Sequence, residues 1–184
     1  MVATLGPVFL LMGTPASGKS TVAGALMKRF PKGLHLPVDA LRQMVVSGLA
    51  DMSGDPSPAL LEQLRLARES ASKSADLYAH AGFAVAVDDF WFGEHPDRDY
   101  RLGLGVHRVV LTPDVDTTLK RLYARSADEG AFKEVLAGVI RTVRPEIHAH
   151  PKEGWHALDS STLSVEETVD RMLAVTGQGG SAGG

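Results

Sequence analysis

Apolar residues follow two rhythms along this chain, and the alternation between them predicts its architecture. Val8-Phe-Leu-Leu-Met12 and Phe83-Ala-Val-Ala-Val87 are unbroken apolar runs, the pattern of strands covered on both faces. Leu34-His-Leu-Pro-Val38, Val106-His-Arg-Val-Val-Leu111 and Gly154-Trp-His-Ala-Leu158 are further strand-like segments. Pro37 cannot donate to a ladder, so its strand is expected at a sheet edge. Between these runs apolar positions recur at helical spacing: over 20–30, 40–46, 59–81, 113–126, around 132–140 and over 164–176. Gly82 suits the end of the long third helix, and Ser164 with Glu167 forms a capping box before the last. In the long helix, Leu60, Leu61, Leu64, Ala67, Ala71, Ala75 and Tyr78 are expected on the buried face. Five strands alternating with helices predict a three-layer α/β fold with a parallel sheet and right-handed crossovers. Ligands then belong at the C-terminal edge of the strands.

The stretch between the first strand and the first helix carries the chemistry. Gly13-Thr-Pro-Ala-Ser-Gly18-Lys19-Ser20 fits G-x-x-x-x-G-K-[ST], the phosphate-binding P-loop. The glycines let the backbone approach phosphate oxygens. Successive N–H groups of Gly13, Pro15 to Ser17, Gly18, Lys19, Ser20 and Thr21 (the proline excepted) make an anion nest at the positive end of a helix. Lys19 supplies a mobile cation for the β- and γ-phosphates, and the Ser20 hydroxyl is placed to ligate Mg²⁺. Pro15 and Ala16 complete the loop.

Other polar residues stand where strands end. Asp39 follows the second strand and suits either a helix N-cap or a general base that orients an acceptor hydroxyl and takes its proton. Arg42, one helical turn on, suits an acceptor anion or a solvated surface. Asp88 and Asp89 close the third strand, where an acid can hold Mg²⁺ directly or through water. Asp88 is favoured for the metal and Asp89 for the substrate or a supporting role. Phe90, Trp91 and Phe92 read equally well as core packing and as the wall of an acceptor pocket. Arg121 and Arg125 lie one turn apart in the fourth expected helix, where arginines can neutralise charge on a transferring phosphoryl group. Residues 126–141 are expected to form a lid that excludes water.

Composition narrows the class. The chain has 184 residues, enough for a single buried domain over 1–176, with 177–184 a flexible glycine-rich tail. There is no cysteine, so there is no disulfide framework, thiolate metal site or cysteine nucleophile. The formal net charge of −3 argues against broad nucleic-acid binding, a local basic patch aside. No segment approaches a membrane span and no signal peptide is recognisable, so a cytoplasmic location is the expectation.

The P-loop, Asp39-x-x-Arg42, Val85-Ala-Val-Asp-Asp-Phe90, the Arg121/Arg125 helix and Leu158-Asp-Ser-Ser-Thr-Leu-Ser164 together resemble small P-loop kinases. The similar group is that of chloramphenicol phosphotransferase-like, zeta-toxin-like and polynucleotide 5′-kinase-like ATPases, and the resemblance runs from about Val8 to Val175. It implies the strand order 2-3-1-4-5, a small helical lid, Asp39 as base, Arg42 on the acceptor side and phosphate-contacting arginines near Arg121 and Arg125. The expected activity is ATP- and Mg²⁺-dependent transfer of a γ-phosphoryl group to a hydroxyl of an antibiotic- or nucleoside-like small molecule. The alternatives are a polynucleotide 5′-hydroxyl kinase and a regulatory nucleotide-binding ATPase without a small-molecule acceptor. No residue fixes the acceptor, the choice of ATP over GTP, or the oligomeric state.

Overall fold

A computed structural model describes residues 4–52, 56–91, 96–103, 105–124, 130–149 and 153–178. The expected positions Phe92 and Arg125 lie outside them, as does the first part of the expected lid.

Five strands form one sheet: β1 (Val8–Gly13), β2 (Gly33–Pro37), β3 (Ala84–Phe90), β4 (His107–Leu111) and β5 (Trp155–Leu158). All four pairings are parallel and the order is β2-β3-β1-β4-β5, as the resemblance implied. The helices are α1 (Lys19–Met27), α2 (Val38–Gln43), α3 (Pro58–His80), α4 (Val115–Tyr123), α5 (Gly130–Ala149) and α6 (Val165–Val175). None is long and apolar enough, over the described residues, to cross a membrane.

Side-chain parity along the strands sorts the core into two layers. Phe9, Leu11, Ala84, Ala86, Val109 and Leu111 face α1 and α6, meeting Val22, Leu26, Val169 and Met172. Leu10, Met12, Val85, Val87 and Val110 face the other way, onto the alanines of α3 (Ala67, Ala71, Ala75 and Ala79) and Ile147 of α5. Small residues on α3 let the helix lie close to the sheet. The expected buried face of α3 is rotated in detail: Leu61 and Tyr78 are exposed, and Ala79 is buried. Ala67, Ala71, Ala75 and Ala79 at four-residue spacing form a narrower seam than the longer side chains suggested.

Three boundaries matter for the site. β2 is an edge strand, as Pro37 predicted, and runs into α2 without a linker, so Pro37 takes the N-cap position. Asp39 is therefore not the cap but a first-turn residue, and α2 has no side-chain cap hydrogen bond. β3 continues past Val87 through both aspartates to Phe90, paired with β1 to Gly13. The described part of the region expected as a lid, 130–141, belongs to α5, whose Ala137 and Ile140 pack with Leu122 of α4 and Ala16 of the P-loop. The Ser164–Glu167 capping box is present.

Candidate active site

β1 delivers its C-terminal end at the centre of the sheet, and the loop that follows is shaped by what it cannot accommodate. A Cβ on Gly13 would lie 2.7 Å from Ser17 Oγ and 2.8 Å from Leu111 O, so the loop closes only over a glycine. Gly18, at φ +95°, holds a left-handed conformation just before α1, and Ala16 is the one described non-glycine residue at positive φ (58°). Lys19 Nζ donates to Thr14 O at 2.9 Å, curling back over the loop. The Thr14 and Ser17 hydroxyls are buried without a hydrogen-bond partner. Buried hydroxyls left unpaired are costly, and here they sit in a cradle of backbone donors that an anion would complete. Ser20, at the start of α1, is exposed.

The strand order splits the surroundings of this loop. β2 and β3 end on one side of β1, β4 and β5 on the other. On the β4/β5 side, Arg121 donates to Ser17 O and to Ser160 O, both at 3.3 Å, tying the P-loop to the segment after β5. A cleft of about 240 Å³ lies there, lined by Gly18, Thr21, Val22, Arg121, Ser160 and Leu163. Arg144 lies apart from it, donating to Pro113 O at 3.1 Å and Thr112 O at 3.3 Å.

On the β2/β3 side stand three carboxylates. Asp88 shares its parity with Ala84 and Ala86, so it faces the layer of α1, whose first residues are Lys19 and Ser20. It is buried, with Oδ1 3.3 Å from His35 Nε2, an atom that finds no hydrogen-bond partner. Asp89 shares the parity of Val85 and Val87 and faces α3. Its carboxylate accepts from Arg68 Nε at 2.8 Å, Tyr100 Oη at 2.8 Å and its neighbour Phe90 N at 2.7 Å. Arg68 also donates to Asp99 Oδ2 at 3.1 Å. Burial alone would lower the Arg68 pKa, but the facing Asp89 carboxylate outweighs it and the guanidinium is held charged. Burial, and then the Asp89 charge, pushes the Tyr100 phenol well above its ordinary value.

Asp39 occupies the remaining corner. The protein surrounding its carboxyl raises its pKa, and the charges of Asp89 and, more weakly, Asp88 raise it further against the opposing pull of Lys19 and Arg42. The residue as a whole remains open to solvent, so its carboxyl is crowded by protein and still reachable. Arg42 is not a solvated surface arginine: it is buried, NH1 donates to Ala50 O at 3.0 Å, and Nε has no partner.

Trp91 is inside the core, 5% exposed, with its ring edge-to-face against Trp155 at 5.0 Å. Its backbone N–H donates to Gly13 O at 3.1 Å, which couples the end of β3 to the P-loop. The sequence reading did not single out Arg68, Tyr100 or His35. For Arg68 a signal existed: Arg68, Ser72 and Asp76 recur every four residues on a helix whose neighbouring face is alanine, which is a polar stripe and not a solvated surface.

The residues present suit Mg²⁺ as well as a nucleotide. No group of three or more His, Cys, Asp or Glu among the described residues forms a metal cage. Mg²⁺ in phosphate-transfer sites needs none, because it takes one or two protein oxygens beside phosphate oxygens and water. A buried acid facing the layer of α1 and an exposed Ser20 at that helix's start supply such oxygens.

A family described as an AAA domain (AAA_33) matches residues 8–150. No curated protein matches the sequence. Among solved structures, the fold is similar to a Deinococcus radiodurans tunicamycin resistance protein at 18% identity (TM-score 0.61, covering 94% of this chain and 96% of that one). A sugar kinase from Janibacter sp. HTCC2649 is similar at 17% identity (TM-score 0.62, 92% and 93% covered). Shikimate kinase from Bacteroides thetaiotaomicron is similar at 15% (TM-score 0.58, 92% and 97% covered). These likenesses establish a P-loop kinase-like fold.

Proposed function

The chain belongs to the AAA domain family AAA_33, and from that membership and the site we propose that it is an ATP-dependent phosphotransferase acting on a hydroxyl of a small molecule. The observation that carries the reading is Asp39: a carboxylate not spent on capping, its pKa raised, beside the P-loop lysine and two further carboxylates. A carboxylate so placed fits a general base, whose proton affinity must be lifted toward working pH.

In this reading the loop amides and Lys19 hold the β- and γ-phosphates, and Lys19 stabilises charge that moves onto the leaving oxygen. Ser20 and Asp88 hold Mg²⁺, which when bound offsets negative charge on the phosphates. Asp39 accepts the acceptor's hydroxyl proton as the new oxygen–phosphorus bond forms and the bond between the γ-phosphorus and the β,γ-bridging oxygen breaks. ADP leaves with the electron pair of that bond, so charge and atoms balance. The β4/β5-side cleft takes the nucleoside, and Arg121 is assigned to that end in place of the transferring group. Arg125, outside the described residues, is proposed as the clamp on the transferring phosphoryl group. Asp89 and Trp91 are assigned to holding the end of β3 and not to contacting the acceptor.

Arg42 favours a second reading within the same chemistry. A buried guanidinium with an unpartnered Nε suits an acceptor that carries its own anion, as a 5′-hydroxyl polynucleotide does. Affinity that falls steeply with salt would support the polynucleotide, and a flat dependence would remove it.

The test is incubation with ATP and Mg²⁺ and a panel of hydroxyl acceptors, read by mass for the gain of one phosphoryl group. The panel includes tunicamycin, sugars and shikimate, for the neighbours' names, together with amphenicols, nucleosides and 5′-hydroxyl oligonucleotides. ATP consumption that no acceptor stimulates and no acceptor captures counts against the proposal and in favour of a regulatory ATPase.

A further inference from the structure

We propose that Arg68 is a positioning residue for phosphoryl transfer: bridging Asp89 and Asp99, it holds the C-terminal end of β3 so that Asp88 faces the P-loop helix. This rests on the reading of Asp88 as a Mg²⁺ ligand.

Beyond Asp88 the ladder that supports β3 among the described residues lies on the β1 side. The β2 ladder stops at Pro37 opposite Asp88, and proline offers no N–H. Asp89 and Phe90 pair with Met12 and Gly13 of β1, and the Trp91 backbone N–H extends that ladder to Gly13 O at 3.1 Å. What holds the other side is α3. Arg68, Ser72 and Asp76 form one stripe along it. Arg68 reaches Asp89 and Asp99. Ser72 Oγ accepts from Arg101 N at 3.0 Å and donates to Arg68 O at 2.9 Å, and Asp76 Oδ1 accepts from Gly103 N at 3.4 Å. The segment before β4 is thereby strapped to α3, with Tyr100 closing the network onto Asp89.

The chemistry of this network suits a rigid support. Arg68 and Asp89 are almost wholly buried, and a buried ion pair stands only if both charges are hydrogen-bonded. The planar guanidinium spans two carboxylates with separate nitrogens, which a lysine cannot do at fixed geometry. Because adjacent residues on a strand point to opposite faces, locking Asp89 toward α3 locks Asp88 toward α1. Arg68 touches no reacting atom in this scheme and acts through the strand.

The experiment measures Mn²⁺ affinity of the protein–ATP complex by electron paramagnetic resonance, with Mn²⁺ standing for Mg²⁺, and ATP affinity in EDTA. Arg68→Gln is expected to weaken Mn²⁺ binding roughly tenfold or more, the range for loss of a group that orients a metal ligand, and to leave ATP affinity in EDTA unchanged. Arg68→Lys keeps the charge, loses the fork, and shifts Mn²⁺ binding less but in the same direction. Unchanged Mn²⁺ affinity in either variant that folds, or equal losses of Mn²⁺ and metal-free ATP affinity, overturns the proposal. If Arg68→Gln does not fold, Arg68→Lys decides by the same two readings. Asp88→Asn separates the two levels: Mn²⁺ affinity unchanged in that variant removes the metal role of Asp88 itself, whereas its loss together with wild-type affinity in Arg68→Lys removes only the role of Arg68.

Discussion

Asp88 and Asp89 are neighbours in the chain and face opposite layers of the molecule. Asp88 lies toward α1 with His35 3.3 Å away, and Asp89 lies toward α3 on the Arg68 guanidinium at 2.8 Å. Their substitutions should therefore fail differently. Asp89→Asn leaves the buried Arg68 with Asp99 as its one carboxylate in this network, at a cost of about 3 kcal/mol, the low end for breaking a buried pair. For a chain of this length that lowers Tm by on the order of 10 °C. Asp88→Asn should lower Tm far less while raising the Mg²⁺ concentration needed for turnover. Thermal denaturation of both proteins checks this, and equal Tm losses would refute the division.

Lys19→Met should slow phosphoryl transfer severely. Removing one preorganised charge of this type costs roughly 10²–10³ in rate, and the Thr14 carbonyl it caps gives the side chain a second, smaller role in loop shape. Turnover within a few-fold of wild type, measured on any acceptor the panel identifies, would show that the loop does not serve catalysis.

Asp39→Asn should separate chemistry from folding. The rate loss expected for a general base is about 10²–10⁴, with ATP affinity nearly unchanged. Because the folded-state pKa of Asp39 is raised, the native chain binds more protons than the unfolded one between the ordinary carboxylate value and the raised one. Stability from this group is thus present below that window and is lost as pH rises through it. At neutral pH the asparagine variant should be at least as heat-stable as wild type, and kcat/KM of the wild type should fall on acidification through a pKa above the ordinary carboxylate range. A large Tm drop in Asp39→Asn, or equal losses in rate and ATP affinity, would remove Asp39 as the base.

Gly13→Ala places a methyl group against Ser17 Oγ and Leu111 O. Overpacking of this kind costs about 1–3 kcal/mol, and the loop must open to relieve it. ATP binding by calorimetry should be lost or severely weakened, and wild-type affinity would contradict the close approach.

Ser164→Ala is the contrasting case: the residue caps α6 and does not itself line the β4/β5-side cleft, although Leu163 and Val165 do. The substitution removes the hydroxyl half of the capping box at α6 and keeps the Ser164 N–H to Glu167 half, at a cost of about 1 kcal/mol. Tm should fall by about 2–4 °C with turnover intact. Loss of activity out of proportion to that shift would show that the cap also shapes the cleft wall at Leu163 and Val165.

The apolar runs, the glycine pattern and the turn residues were sufficient to determine the α/β alternation, the P-loop and the cap of α6, because those depend on neighbours in sequence. Even the edge position of β2 followed from one residue, Pro37. The sidedness of the site did not follow. A strand buried on both faces reads as uniformly apolar, so nothing local says which of Asp88 and Asp89 turns toward α1. Whether Arg42 is solvated, whether Trp91 lines a pocket and whether Asp39 caps its helix depend on how α2, α3 and the sheet pack, and the structure decided each against the blander expectation or for the core. Arg68 reaches Asp89 across twenty-one positions of chain, and Arg121 reaches Ser17 across one hundred and four. Contacts of that span exist only once strand order has put β2 and β3 on one side of the P-loop and β4 and β5 on the other, which is a property of the packed sheet and not of any segment in it.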